Sequence, residues 1–225
     1  MLIVLEGLDG AGKSTQVRML REYLQQKCGD LEYIHFPRYD APVYGELISK
    51  FLRGDFGDID QVHPQLVALL YAEDRHGAAD CIKEQLRDGK TVLLDRYVYS
   101  NIAYQGAKFP SPAEAEDLRQ WIMRTEFDIF EEPKPTLNIF LDVPLGFVEQ
   151  NLNKERKGDD REYLHGSKDI HEASMDFQRR VRDMYLHLAE HDNTFKIVKC
   201  SCTDGSMEQP SVIFDKIKQL VDEIL

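Results

Sequence analysis

Nine residues, Gly7-Leu8-Asp9-Gly10-Ala11-Gly12-Lys13-Ser14-Thr15, constrain this chain more than any others. Their spacing is G-x-x-x-x-G-K-[ST], and the flanks supply the context such a run needs. Met1-Leu2-Ile3-Val4-Leu5 ahead of it has the unbroken apolar character of a buried strand, and Gln16 to Leu24 behind it has helical spacing. In a strand–loop–helix turn of this kind, glycines let backbone N–H groups converge on phosphate oxygens at a helix N-terminus. The pattern assigns Lys13 to the outer phosphates and the Ser14 hydroxyl to Mg²⁺. The chain is therefore expected to bind a nucleoside triphosphate.

The length, 225 residues, suits one α/β domain over 1–225. A net charge of −12 argues against sequence-independent nucleic-acid binding, which runs on basic surface. It leaves anionic small substrates open, because a site needs only a local basic cluster. Cys28, Cys81, Cys200 and Cys202 form no C-x-x-C pair, so reduced thiols are expected and structural zinc is not. The apolar start lacks the basic residues and length of a secretory signal, and no run approaches the ~20 apolar residues of a membrane span. A soluble cytoplasmic protein with no membrane or nucleic-acid partner is the expectation.

Short uninterrupted apolar runs alternate with helical patterns. Leu2–Leu5, Tyr33–Phe36, Thr91–Leu94, Leu137–Leu141 and Phe195–Val198 read as strands covered on both faces of a parallel sheet. Helices are expected over about 14–27, 43–53, 63–87, 112–126, 145–153, 170–190 and 211–224. The repeated β-then-α order predicts an α/β fold, a doubly wound sheet of five parallel strands flanked by helices. Residues 154–168, almost wholly charged or small, read either as a solvated loop or as a lid carrying cations over transferring phosphates; their place in such a fold favours the lid.

Three clusters address what receives the phosphate. Val92-Leu93-Leu94-Asp95-Arg96-Tyr97 places an acid and a base at a strand's carboxyl end, where open α/β sheets bind ligands. Asp95 there supports Mg²⁺ through water and Arg96 faces the transferring group, unless the two only close the strand as an ion pair. Phe36-Pro37-Arg38-Tyr39 ends the preceding strand in a guanidinium. A hydroxyl acceptor would want a carboxylate base there; Arg38 suits an acceptor that is already a phosphate. Tyr71 with Arg75, and Asn101 with Tyr104, share helix faces and together can stack on and hydrogen-bond a flat base, although core packing competes for each aromatic. Gly77 is costly within a helix, which implies close approach by another helix or a ligand.

The loop with aspartate at its third position, Phe36-Pro37-Arg38-Tyr39, Tyr71-x-x-x-Arg75 and Asp95-Arg96-Tyr97-x-x-Ser100-Asn101-x-Ala103-Tyr104-Gln105 resemble the thymidylate kinase family over nearly the whole chain. The resemblance implies transfer of a phosphoryl group from MgATP to thymidine 5′-monophosphate, in a homodimer. It implies that Gly7, Leu8, Asp9, Gly10, Ala11, Gly12, Lys13, Ser14 and Thr15 form the ATP-binding run, with Asp9 also beside the acceptor sugar and the metal. It implies that Arg38 and Arg96 bind the acceptor phosphate, Tyr71 stacks on thymine, Arg75 reaches a base carbonyl, Asn101 contacts the N3 edge, Tyr104 crowds the sugar 2′ position and Phe36 walls the base pocket. Beyond the lid, Asp169, His171, Glu172 and Gln178 occupy the stretch that closes over the nucleotide, with Gln178 a substrate contact and Glu172 joining Ser14, Asp95 and Asp9 as metal candidates. The family often carries tyrosine where His171 stands.

One branch of the family has an arginine directly after the loop aspartate; here that residue is Gly10. The other branch uses lid cations, which makes Arg156, Lys157 and Arg161 candidates and places Asp9, Lys13, Arg96, Arg156 and Arg161 in the catalytic set. The expected chemistry is in-line transfer between two anionic phosphates. A kinase for another nucleotide or a nucleoside, or a non-catalytic nucleotide-binding module, are the alternatives; a GTPase would need an Asn-Lys-x-Asp run, which is missing.

Overall fold

A computed structural model describes residues 1–154, 164, 169–172 and 174–225. Most of the expected lid, 154–168, lies outside the described residues. Five parallel strands form one sheet: β1 (Leu2–Gly7), β2 (Leu31–His35), β3 (Thr91–Asp95), β4 (Leu137–Asp142) and β5 (Phe195–Lys199), in the order β2-β3-β1-β4-β5. Helices α1 (Lys13–Cys28) and α8 (Pro210–Asp222) pack together on one side, while α3 (Pro64–Arg87), α4 (Val98–Gly106) and α7 (Met175–Ala189) pack in succession on the other. Helix α2 (Tyr44–Leu52) lies on α3, α5 (Pro112–Met123) on α4, and α6 (Leu145–Leu152) on α7. Among the described residues no helix is long and apolar enough to cross a membrane, and all four cysteines are unpaired.

The sheet topology positions the chemistry. After β1 the chain crosses to β2 on one side, and after β3 it crosses to β4 on the other. Adjacent strands with diverging connections leave a crevice at their carboxyl ends, the place where such sheets hold ligands. The register Leu5↔Asp95 sets the phosphate loop beside Asp95 and Arg96.

The three central strands are buried along their length, as their unbroken apolar runs require. The two edge strands correct the expectation of cover on both faces. β2 is only half-buried throughout, and β5 exposes Lys196, Ile197 and Lys199. Lysines on an edge strand oppose pairing with another chain.

Helix boundaries follow their caps. The expected helix over 170–190 divides into a short 3₁₀ turn, Ile170–Glu172, and α7, because Ser174 accepts the Phe177 N–H at 3.3 Å and starts a new helix. The expected helix over 112–126 becomes α5 followed by a π-helical turn, Arg124–Ile129. Helix α4 was given no bounds among the expected helices, although Asn101 and Tyr104 were placed on a shared helix face. Its N-terminus has no local side-chain cap. Instead Glu6, fully buried at the end of β1, accepts the N–H groups of Tyr97 at 3.0 Å and Ser100 at 3.2 Å. The same carboxylate takes the hydroxyls of Ser100 and Tyr185, the latter at 3.0 Å.

A single large apolar core spans both faces of the sheet, and a second, small one lies apart. The small cluster joins Ile48, Phe51 and Leu52 of α2 to Val67 of α3, with Tyr39, Tyr71 and Ile170 packed around it. It roofs the crevice.

Burial pushes the Glu6 carboxyl upward against its hydrogen-bond donors. Glu6→Ala strands several buried donors at once and is expected to lower the unfolding free energy by about 3 kcal/mol, read by urea denaturation.

Candidate active site

The phosphate loop is built as its sequence requires. Gly10 and Gly12 adopt φ of 73° and 77°, values that side-chain-bearing residues rarely take, and α1 starts directly after Gly12. Gly7 leaves room for the Lys13 side chain, whose Cγ would lie 3.2 Å from an added Cβ. Lys13 Nζ donates to the carbonyls of Leu8 at 3.0 Å and Gly7 at 3.3 Å. Burial, reinforced by the nearby Arg96 charge, brings its pKa down to about 8. Asn151 of α6 donates to the Gly10 carbonyl at 2.8 Å and braces the loop from outside.

Around this loop runs an open cleft lined by Asp9, the run from Gly10 to Ser14, Asp95, Arg96 and Glu172. Of the nine motif residues, Gly7, Leu8 and Thr15 do not line it; Leu8 is wholly buried and contributes its carbonyl to Lys13. Asp95 Oδ2 pairs with His35 Nδ1 at 3.2 Å, whereas its Oδ1 is buried without a hydrogen-bond partner. Burial disfavours the Asp95 charge, but the His35 hydrogen bond and Lys13 outweigh it and hold the carboxyl below its ordinary range.

A second cavity opens beside the first and is lined by Phe36, Tyr71, Arg75, Asn101, Tyr104 and His171 among others. Asp9, Pro37, Tyr39 and Arg96 line both spaces. At this junction Arg96 Nη2 meets Asp9 Oδ1 at 2.7 Å, and the Tyr104 hydroxyl donates to Asp9 Oδ2 at 2.8 Å. Tyr104 also lies against the guanidinium, 5.1 Å from ring centroid to carbon, and Arg96 Nη1 donates to Ser100 Oγ at 3.2 Å. Burial raises the cost of ionising Asp9, yet Arg96, Lys13 and Tyr104 together hold its carboxyl below the ordinary range. Arg96 has φ of 69°, a left-handed backbone for a non-glycine residue, worth about 1–3 kcal/mol of strain.

The floor of the cavity is a buried polar cluster. Arg75 donates through Nε and Nη2 to Glu126 at 2.5 and 2.7 Å. Asn101 Nδ2 donates to the Ala68 carbonyl at 2.9 Å and to Glu126 Oε1 at 3.1 Å. His171 stands at the far wall among Phe51, Tyr104 and Phe177, at ring separations of 5.5, 5.2 and 5.6 Å. Burial, aided by the Lys108 charge, holds its pKa well below the usual histidine value, so it is a neutral imidazole.

Asp9 and Arg96 are thus locked together where the phosphate loop meets an aromatic cavity, and comparison with known proteins identifies the family. The family model described as thymidylate kinase matches residues 5–207. The chain belongs to the thymidylate kinase family. A protein of Thermococcus kodakarensis described as a probable thymidylate kinase is 34% identical over 230 residues, covering 100% of this chain and 98% of its own. The thymidylate kinase of Mycobacterium tuberculosis is 33% identical over 190 residues, 84% of this chain and 86% of the relative. A solved structure of thymidylate kinase from Candida albicans matches with a TM-score of 0.70 at 26% identity, over 99% of this chain and 91% of that one.

Within this family fold, two expected substrate contacts sit elsewhere. Arg38 is not among the residues lining either space; its Nε donates to Asp74 Oδ1 at 3.0 Å, and its Nη2 to the Asp74 carbonyl. This accounts for Gly77, where an added Cβ would lie 2.9 Å from Arg38 Nη2. The close neighbour is a side chain, not a second helix or a ligand. Gln178 lies wholly buried behind His171 and donates to its carbonyl at 2.8 Å, so it braces the wall instead of lining the cavity. Arg156, Lys157 and Arg161 lie outside the described residues.

Glu126, His35 and Asp74 escaped the sequence reading. Each sits far along the chain from its partner, at Arg75, Asp95 and Arg38, and no short motif carries such a pairing. The β2–β3 register His35↔Asp95 is the one signal that could have found one of them.

Gly77→Ala gains about 1 kcal/mol of helix propensity but pushes on the flexible end of Arg38. By loosening Arg38 from Asp74 it is expected to lower the KM for the acceptor nucleotide while keeping the melting temperature near that of the parent, a split that steady-state kinetics beside thermal melting will read.

Proposed function

We propose that this chain transfers the γ-phosphoryl group of ATP to the phosphate of thymidine 5′-monophosphate, giving ADP and the diphosphate that feeds dTTP synthesis. The observation that carries the reading is the shared wall: Asp9 and Arg96 border both the phosphate-loop cleft and the nucleoside cavity. A donor triphosphate in one and an acceptor monophosphate in the other would meet at the Arg96 guanidinium.

The groups divide the work by charge. Gly10 to Ser14 hold the donor phosphates through backbone N–H groups, and Lys13 exchanges its carbonyl partners for phosphate oxygens. Arg96, held by Asp9 and Tyr104, offsets repulsion between the two phosphates and stabilises charge on the transferring group. No general base is required, because an acceptor phosphate is already an anionic nucleophile. Phe36 and Tyr71 enclose the base, Arg75 and Asn101 meet its polar edge, and Tyr104 leaves little room for a 2′-hydroxyl. Arg38, after release from Asp74, is the second cation for the acceptor phosphate. Arg156 and Arg161 are proposed to reach the donor phosphates from the lid.

The residues fit Mg²⁺. Asp95 Oδ1 is a buried oxygen without a partner, facing a cleft that Ser14 and Glu172 also border, and oxygen donors of this kind suit a hard cation. Asp9 is the poorer ligand, since each of its oxygens already accepts a hydrogen bond from Arg96 or Tyr104. Bound with the triphosphate, the ion would neutralise charge on the β- and γ-oxygens. A cytoplasmic homodimer is proposed from the family resemblance.

Coupled ADP release with thymidylate, deoxyuridylate, uridylate and guanylate side by side tests the acceptor; rapid turnover of uridylate or guanylate in preference to thymidylate would remove the reading. Arg96→Ala is expected to lower kcat by ~10²-fold or more in a folded protein, as loss of a charge-stabilising donor does. Near-parental turnover would take Arg96 out of the mechanism.

The depressed Lys13 pKa, about 8, gives a pH signature. Polyphosphate binding favours the protonated amine and raises that value, so ATP binding takes up a proton above pH 8 and none on this account below it. ATP affinity is therefore expected to fall as pH rises through 8. Titration calorimetry in buffers of different ionisation enthalpy reads the proton directly.

A further inference from the structure

We infer that Glu126 decides which nucleobases the cavity accepts, by fixing the orientation of the Asn101 carboxamide. The inference rests on the reading above that this cavity holds the acceptor's base. Glu126 is 0% exposed, in the π-helical turn after α5, and its side-chain hydrogen bonds go to Arg75 and Asn101. Paired with Arg75, its oxygens only accept hydrogen bonds. Its Oε1 takes Asn101 Nδ2 at 3.1 Å and Arg75 Nη2 at 2.7 Å, while Oε2 takes Arg75 Nε.

A carboxamide has two N–H donors and one oxygen. Both Asn101 donors are used, on Glu126 and on the Ala68 carbonyl. The flipped amide would set its oxygen against two acceptors, so the flip is disfavoured. Asn101 Oδ1 is then the group left over; it is buried and without a hydrogen-bond partner, on a residue that lines the cavity. A buried acceptor of this kind selects a ligand that brings a donor, since a mismatched edge leaves it unpaired.

The ring N3–H of an imide base, thymine or uracil, is such a donor. Cytosine presents an acceptor at N3 and is rejected. Arg75, aligned by the same carboxylate, adds a donor beside it for a ring carbonyl. One acidic residue thereby sets a donor next to an acceptor, the complement of an imide edge. Glu126 is a positioning residue, with no contact to the reacting atoms.

The test compares kcat/KM for thymidylate and deoxycytidylate in the parent, Glu126→Met and Glu126→Gln. Methionine offers no acceptor, so Asn101 and Arg75 both lose their anchor; the thymidylate preference is expected to fall at least ~10-fold while kcat at saturating thymidylate stays within about 3-fold. Glutamine keeps one oxygen for the two donors that meet at Oε1 and is expected to retain most of the preference. A folded Glu126→Met enzyme with undiminished preference, or a glutamine variant that loses as much as methionine, overturns the inference. A parent enzyme that turns over deoxycytidylate as readily as thymidylate overturns the cavity reading itself, before any variant is made. Should Glu126→Met not fold, the parent protein still decides: its Asn101 side-chain NH₂ signals are expected to be protected from solvent exchange both without nucleotide and with thymidylate bound. Free exchange of these signals without nucleotide overturns the inference.

Discussion

The ion pair between Asp9 and Arg96 is the contact on which the rest of the site depends. It spans two strands, closing the phosphate loop after β1 onto the end of β3, and its oxygens and guanidinium face both ligand spaces. A buried arginine is expensive unless paired and hydrogen-bonded. Here the cost is offset by Asp9, Ser100 and the Tyr104 ring, and the side chain stays charged where two phosphates would otherwise repel. The left-handed backbone at Arg96 belongs to the same arrangement, because it turns the chain from β3 into α4 and aims the guanidinium back at the loop. That strain is tolerated because Leu5 O accepts the Arg96 N–H at 3.0 Å and Glu6 anchors the next turn.

Much of this was legible in the sequence, and the boundary of what was legible is physical. The loop from Gly7 to Thr15 is a local motif whose flanks declare a strand and a helix, so its geometry follows from neighbours within a few positions. Five strands emerged from five unbroken apolar runs. The edges did not, since burial of β2 and β5 depends on which strands end up outermost. Helix α4 was lost because its cap comes from Glu6, 91 positions before Tyr97. Tyr97-Val98-Tyr99 favours strand when read alone. Asn101 and Tyr104 could nevertheless be placed on a common face from their spacing.

The site residues divide in the same way. Asp9, Phe36, Tyr71, Arg75, Arg96, Asn101 and Tyr104, which the motifs singled out, border one cavity. The partners that aim them do not advertise themselves. Glu126 looks like one more acid late in an amphipathic helix, Asp74 like a helix-surface charge, and Gln178 like a substrate contact when it is a brace. In each case the chemistry-bearing residue sits in a motif, while its orienting partner sits where only the folded chain brings it.

The small apolar cluster of Ile48, Phe51, Leu52 and Val67 has a mechanical consequence. It gathers α2 into a block separate from the sheet's own core, and Ile170 packs into that block while Phe51 touches His171. The turn Ile170–Glu172 is thus held from one side by α2 and from the other by α7, whose Gln178 donates to the His171 carbonyl and whose Phe177 lies against its ring. A shift of α2 against the sheet would be felt at His171, with the central strands left undisturbed.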